Sequence, residues 1–108
     1  MTYVVDIDGT ICESETGFGS DYRNMKPLHN RIEKMNELYD YGHKITYFTA
    51  RGMGRHNNNQ ARAIQDFYSF TENQLKEWGV KYHQLILGKP SGDVYIDDKG
   101  IKDIDFFK

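Results

Sequence analysis

Apolar residues along this chain recur with two periods, and the alternation between them predicts the elements. Tyr3-Val4-Val5 puts apolar side chains on both faces of an extended segment, the pattern of a central strand in a sheet covered on both sides. That strand ends near Asp6. From Gly9 to Lys26 the chain is polar and glycine-bearing, which predicts an irregular loop over the strand ends and a natural lid. Pro27 then opens a helical pattern with Leu28, Ile32, Met35, Leu38 and Tyr39 spaced by three and four, and Gly42 stops it. A second strand, Lys44 to Thr49, returns within two residues, so the unit is a βαβ crossover with parallel strands.

A polar, glycine-bearing loop over residues 50–58 precedes a second helical pattern carried by Ala61, Ile64, Phe67 and Tyr68. Thr71 followed by Gln74 is a capping-box pattern and Gly79 after Trp78 is a C-cap signal, so residues 60–78 read as one broken helix or as two. Two short strands follow, Gln84 to Leu87 and Asp93 to Ile96, separated by a turn at Gly88-Lys89-Pro90. The expected fold is a single Rossmann-like α/β domain over residues 1–108, with a mainly parallel sheet of four strands and helices on both faces.

Composition narrows the function classes. The 108 residues carry 14 Lys+Arg, 16 Asp+Glu and a single Cys, an ordinary charge for one domain that needs no disulfide or metal staple to fold. No apolar run exceeds three residues, so neither a membrane span nor the apolar stretch of a signal peptide is expected. A cytoplasmic protein fits this picture, and the lone Cys12 fits a reducing compartment. The net charge of -2 without a Lys/Arg cluster gives no electrostatic footprint for nucleic acid.

Each expected strand ends in a polar cluster: Asp6-Ile7-Asp8-Gly9-Thr10, Thr49-Ala50-Arg51-Gly52, Lys89, and Asp97-Asp98. Ligands of open parallel sheets bind at the carboxyl ends of the strands, so all four clusters can share one site. In extended chain, residues two apart face the same side, which lets Asp6 and Asp8 converge while Ile7 turns into the core. Taken singly the clusters have bland readings. Asp-Gly is a common turn pair, Thr49 an ordinary strand residue, Lys89 an exposed turn residue, and Asp97-Asp98 a cap on a following turn. Two adjacent carboxylates that are partly buried need compensation, however, and a cation supplies it.

The stretches VVDIDGT, ITYFTARG, GKP and YIDD resemble, in order and place, the four motifs of haloacid dehalogenase-like phosphatases. FTARGMG and QLKEWGVKYHQLILGKP are also similar to small members named capsule or polysaccharide biosynthesis phosphatases. The resemblance implies a phosphomonoesterase that passes through an aspartyl-phosphate. Asp6 is then the nucleophile, and Asp8 the acid for the leaving group and the base for water. Thr49 and the Ala50 amide hold the phosphoryl group, and Lys89 neutralises charge on the phosphate and the nucleophile. Asp6, Asp8 through its backbone carbonyl, Asp97 and Asp98 form an oxygen site for Mg²⁺. With Asp8 neutral, Mg²⁺ and Lys89 balance the three remaining carboxylates, and without the cation the site repels its substrate.

The substrate class implied is a small phosphorylated metabolite, with a sugar phosphate favoured. Two rivals remain: a receiver-like signalling domain, which expects an acid where the second strand ends in Thr49, and a non-catalytic Mg²⁺- or phosphosugar-binding subunit. The intervals between motifs leave no room for a cap domain, so the site is open unless a homo-oligomer or a partner protein covers it. Arg51 has two readings of equal weight, substrate contact or pairing with a carboxylate of the site. Phe18, Tyr22, Arg51, Arg55 and His56 are the candidates for contacts beyond the phosphate, against the alternative that Phe18 and Tyr22 only pin the loop. His29, His43 and His83 lack metal-ligand spacing. Cys12 reads as a small buried residue under the loop.

Overall fold

A computed structural model describes residues 1–14 and 22–108. Three parallel strands, β1 (Thr2–Val5), β2 (Lys44–Thr49) and β3 (Gln84–Leu87), lie in the order β1-β2-β3. Helix α1 (His29–Asp40) joins the first two and α2 (Gln60–Glu77) the second two, while a short α3 (Asp103–Phe106) ends the chain. The register sets Tyr3 beside Ile45, Val5 beside Tyr47, and Tyr47 beside Leu85. The α/β, Rossmann-like class expected from the sequence is the one observed.

The helix ends follow local chemistry. Helix α1 begins two residues after Pro27 because the preceding chain is tied down: Glu13 N–H donates to the Lys26 carbonyl and Leu28 N–H to that of Ile11. Gly42 (φ +96°) and Gly79 (φ +72°) close α1 and α2. In each case the glycine N–H and the next N–H bond back to the last helical turn, from Gly42 to Tyr39 and His43 to Leu38, and from Gly79 to Lys76 and Val80 to Leu75. Asn59 caps α2 through its side chain, which accepts from Arg62 N–H. Residues 60–77 form one helix. Thr71 starts no second one, since it is fully buried inside the helix and its hydroxyl accepts from Arg51.

Two expectations are corrected. Residues 93–96 form no strand and are exposed throughout. Tyr95 folds back on the preceding turn instead: its hydroxyl donates to the Pro90 carbonyl (2.6 Å) and accepts from Gly92 N–H (3.1 Å), and Lys89 sits 4.2 Å over its ring. β1, expected at the centre of the sheet, is therefore an edge strand, paired with β2 alone among the described residues.

The helices, expected on both faces, lie on one. Both crossovers step in the same direction, and right-handed crossovers then place α1 and α2 on the same side. The core shows this, joining Val5, Ile45, Tyr47, Leu85 and Leu87 to Ile32 and Met35 of α1 and Phe67 and Leu75 of α2. Helix α3 reaches that face through Phe106 against Tyr3. Val4 and Ile86 point the other way and remain 65% and 36% exposed. A helix on that second face needs a crossover beyond β1, and the missing fourth strand is where it would start.

Candidate active site at the strand ends

Gly9, at φ +84°, turns the chain sharply after β1. Thr10 and Ile11 N–H both donate to the Ile7 carbonyl and Gly9 N–H to that of Cys12. Ile7, Ile11 and Cys12 are fully buried, which anchors the turn and leaves Asp6 and Asp8 half-exposed on one side of it. After β2, Arg51 N–H donates to Thr49 Oγ1 at 3.1 Å, so the threonine hydroxyl organises the next turn. The Thr49 carbonyl accepts from Gly88 and Lys89 N–H, both at 3.2 Å, and thereby fixes where the third cluster sits.

The side chains meet in two linked pairs. Lys89 Nζ lies 3.6 Å from Asp6 Oδ1. Arg51, with its side chain fully buried, forks onto Asp8: Nη2 donates to Oδ1 at 2.9 Å and Nε to Oδ2 at 3.0 Å. Nη1 donates to Thr71 Oγ1, and the guanidinium carbon lies 4.8 Å over the Tyr22 ring. Of the two readings of Arg51, the structure takes carboxylate pairing. Burial pushes the Asp6 carboxyl above its ordinary range; Lys89 opposes the shift and the neighbouring Asp8 adds to it. Burial, followed by the charge of Asp8, pushes the Cys12 thiol up to about 12.

The fourth cluster is elsewhere. Asp97 is exposed and caps a turn, its Oδ1 accepting from Lys99 and Gly100 N–H, bonds that hold its carboxyl below the ordinary value. Asp98 is exposed as well. Among the described residues no three of His, Cys, Asp and Glu gather into a metal-binding group. The set Asp6, Asp8, Asp97 and Asp98 is thus not assembled within one chain. Mg²⁺ keeps several of its waters and is held by one or two carboxylates together with substrate phosphate, so Asp6 and the Asp8 carbonyl beside it would be the groups here to hold it, while the Asp8 carboxylate is taken by Arg51.

The remaining candidates turn toward the body. Tyr22 stands edge-on to Phe67 at 5.3 Å, and its carbonyl accepts from Gln74, so it packs on α2. Arg55 lies 5.2 Å over the Phe67 ring, and His56 Nε2 pairs with Asp66 at 2.6 Å. Ala50 is half-buried. Phe18 lies outside the described residues. His43 contacts the N-terminal amine and His83 accepts from Ile45 N–H; both are structural. Sequence reasoning missed Thr71, the second anchor of Arg51, and Tyr95, the cover over Lys89. Thr71 carried a signal that pointed elsewhere, to a helix start.

A carboxylate pair flanked by a lysine and a buried arginine stands at the ends of the parallel strands of this α/β fold. A D,D-heptose 1.7-bisphosphate phosphatase from B. bronchiseptica, crystallised with magnesium and phosphate, shares the fold at a TM-score of 0.55 and 12% identity, over 85% of this chain and 51% of that one. No family model matches the sequence, and no curated protein is significantly similar to it. A crystallised target protein from Vibrio cholerae is 30% identical, with a TM-score of 0.87 over 98% of this chain and 86% of its own. The chain belongs to the same family as that Vibrio cholerae protein.

Proposed function

We propose that the chain is a phosphomonoesterase of the haloacid dehalogenase type, without a cap domain, acting on a small phosphorylated metabolite. The observation that carries this reading is the convergence of Asp6, Asp8, Thr49, Arg51 and Lys89 at the ends of three adjacent parallel strands. A sugar phosphate is the favoured substrate class. The named substrate of the B. bronchiseptica neighbour is a phosphosugar, and the sequence likeness to capsule and polysaccharide phosphatases points the same way.

In this mechanism an Asp6 oxygen attacks phosphorus and the ester oxygen leaves, taking a proton from Asp8. Water then attacks the aspartyl-phosphate, returns a proton to Asp8, and releases phosphate and free Asp6. Lys89 neutralises charge shared between Asp6 and the transferring oxygens. Thr49 Oγ1 accepts from Arg51 N–H and keeps its own proton to donate to the phosphoryl group. The Arg51 fork suits Asp8 as base for water directly. Protonating a leaving group requires the fork to release one oxygen, so Arg51 governs the acid step.

With Asp8 protonated for the acid step, Asp6, Arg51 and Lys89 sum to one positive charge, and an arriving phosphate dianion leaves the site one charge negative. This is the electrostatic reason to expect a divalent cation, which Asp6 and the Asp8 carbonyl would help to hold.

Turnover of p-nitrophenyl phosphate and of a sugar-phosphate panel tests the proposal. Asp6→Asn should lose at least about 10³-fold in kcat/KM with its circular dichroism unchanged, since the nucleophile is gone while shape and hydrogen bonding persist. A variant with wild-type activity would remove Asp6 from the chemistry.

A further inference from the structure

The two oxygens of the Asp8 carboxylate are held unequally. Oδ1 accepts from Arg51 Nη2 at 2.9 Å, from Arg51 Nε at 3.3 Å and from the Cys12 thiol at 3.5 Å. Among the described residues Oδ2 accepts from Arg51 Nε alone, at 3.0 Å. That N–H is shared between both oxygens, so freeing Oδ2 gives up one shared bond. Freeing Oδ1 would give up the shorter arm of the fork and the thiol contact as well, and charge-assisted bonds of this length are the strong ones.

Which oxygen stays bound is decided on the far side of the guanidinium. Nη1 donates to Thr71 Oγ1 at 3.3 Å. Thr71 is fully buried within α2 and Arg51 is 1% exposed, so water does not replace that bond. The Tyr22 ring lies 4.8 Å from the guanidinium carbon and covers the group. A rigid planar fork fixed at Nη1 cannot follow the carboxylate as it turns. It keeps Nη2 on Oδ1 while Oδ2 comes free. Without the Thr71 hydroxyl, Nη1 becomes a buried donor lacking a partner, and the guanidinium turns toward another acceptor and takes the carboxylate with it.

We propose that Oδ2 of Asp8 is the oxygen that carries the proton, and that Thr71, bonded to Arg51 and not to Asp8, is the positioning residue that keeps Arg51 on Oδ1 meanwhile. The inference rests on the phosphatase reading and divides the labour within one carboxylate. In the first transfer the Oδ2–H bond breaks as the leaving oxygen gains that proton. The ester P–O bond breaks with its electron pair staying on the leaving oxygen, and the bond from Asp6 to phosphorus forms. In the second, water gives a proton to Oδ2 as its oxygen bonds to phosphorus, and the bond to Asp6 breaks with its pair returning to the carboxylate.

Phenyl phosphate and p-nitrophenyl phosphate test this, because they are alike around phosphorus and differ in how much the departing oxygen needs a proton. The ratio kcat/KM reports the first transfer, in which that oxygen leaves. Thr71→Val and Thr71→Ala delete the hydroxyl, the first keeping its volume and the second not, so the test survives if one of them misfolds by circular dichroism. Either should lose about tenfold more kcat/KM on phenyl phosphate than on p-nitrophenyl phosphate, a part of what a general acid contributes. Thr71→Ser restores the hydroxyl and should keep the wild-type ratio between the two esters. A threonine that only packs α2 against the loop after β2 would lower stability and leave that ratio unchanged. Equal losses on both esters, or a Thr71→Ser variant with the ratio of Thr71→Val, would overturn the proposal while wild-type turnover leaves the phosphatase reading standing. A wild type that turns over neither ester would overturn that reading and the proposal with it.

Discussion

Arg51 shows what a single residue contributes here and why its role had to come from the structure. Its sequence position, two past the end of β2, is equally compatible with reaching a substrate or a neighbouring acid. The choice is made by Thr71, twenty residues on in α2, and by Tyr22 from the first loop, neither of which any local pattern connects to it. Lysine cannot reproduce a planar fork with a third bond. Arg51→Lys should therefore lose about 1–3 kcal/mol in urea unfolding, as expected when a buried ion pair loses its geometry. A stability within error of wild type would mean the fork contributes nothing to the fold. Cys12, by contrast, was legible as a buried residue from its place after the turn. With its thiol pushed up to about 12 and its surface fully covered, it should resist iodoacetamide at pH 8 in the native protein and react completely in urea. Rapid native labelling would show that the turn after β1 opens.

At the scale of elements, β2, β3 and the joints at Gly42 and Gly79 were readable because hydrophobic period and glycine placement act locally. Residues 93–96 were read as a strand on the same grounds, and their propensity is real. What the pattern cannot state is whether a neighbouring edge takes the segment up, and residues 93–96 form no strand and stay exposed. β2 carries the other departure from local rules, Tyr47, fully buried with a hydroxyl that has no hydrogen-bond partner among the described residues. Burial alone pushes its phenol up. Removing an unsatisfied buried group relieves a desolvation penalty while the ring's contacts, including the edge-on packing against Tyr82, persist. Tyr47→Phe should leave thermal stability equal or raise it by up to about 1 kcal/mol. A loss of more than that would reveal that the hydroxyl is satisfied in solution.

For the whole molecule, the attachment of the C-terminal helix α3 to α1 is pH-dependent. Asp103 of α3 bonds Arg31 of α1 at 2.7 Å, and the hydrogen bond holds its carboxyl below the ordinary 3.8. A carboxyl depressed in the folded state contributes stability that is present above its unfolded value and lost as pH falls through the folded one. Because the Asp103 side chain is 33% exposed and Arg31 20%, solvent screens the pair and its contribution is about 0.5–1 kcal/mol. Arg31 also lies 4.9 Å over the Phe107 ring, a contact that asparagine at 103 leaves intact. Asp103→Asn should thus be less stable than wild type by that amount at pH 7, and the two unfolding curves should converge as pH falls through the lowered folded-state value, where the wild-type acid is neutralised too. Curves that stay parallel from pH 7 to pH 2 would assign the variant's loss to packing rather than charge, and the tether of α3 would then rest on Phe106 and Phe107.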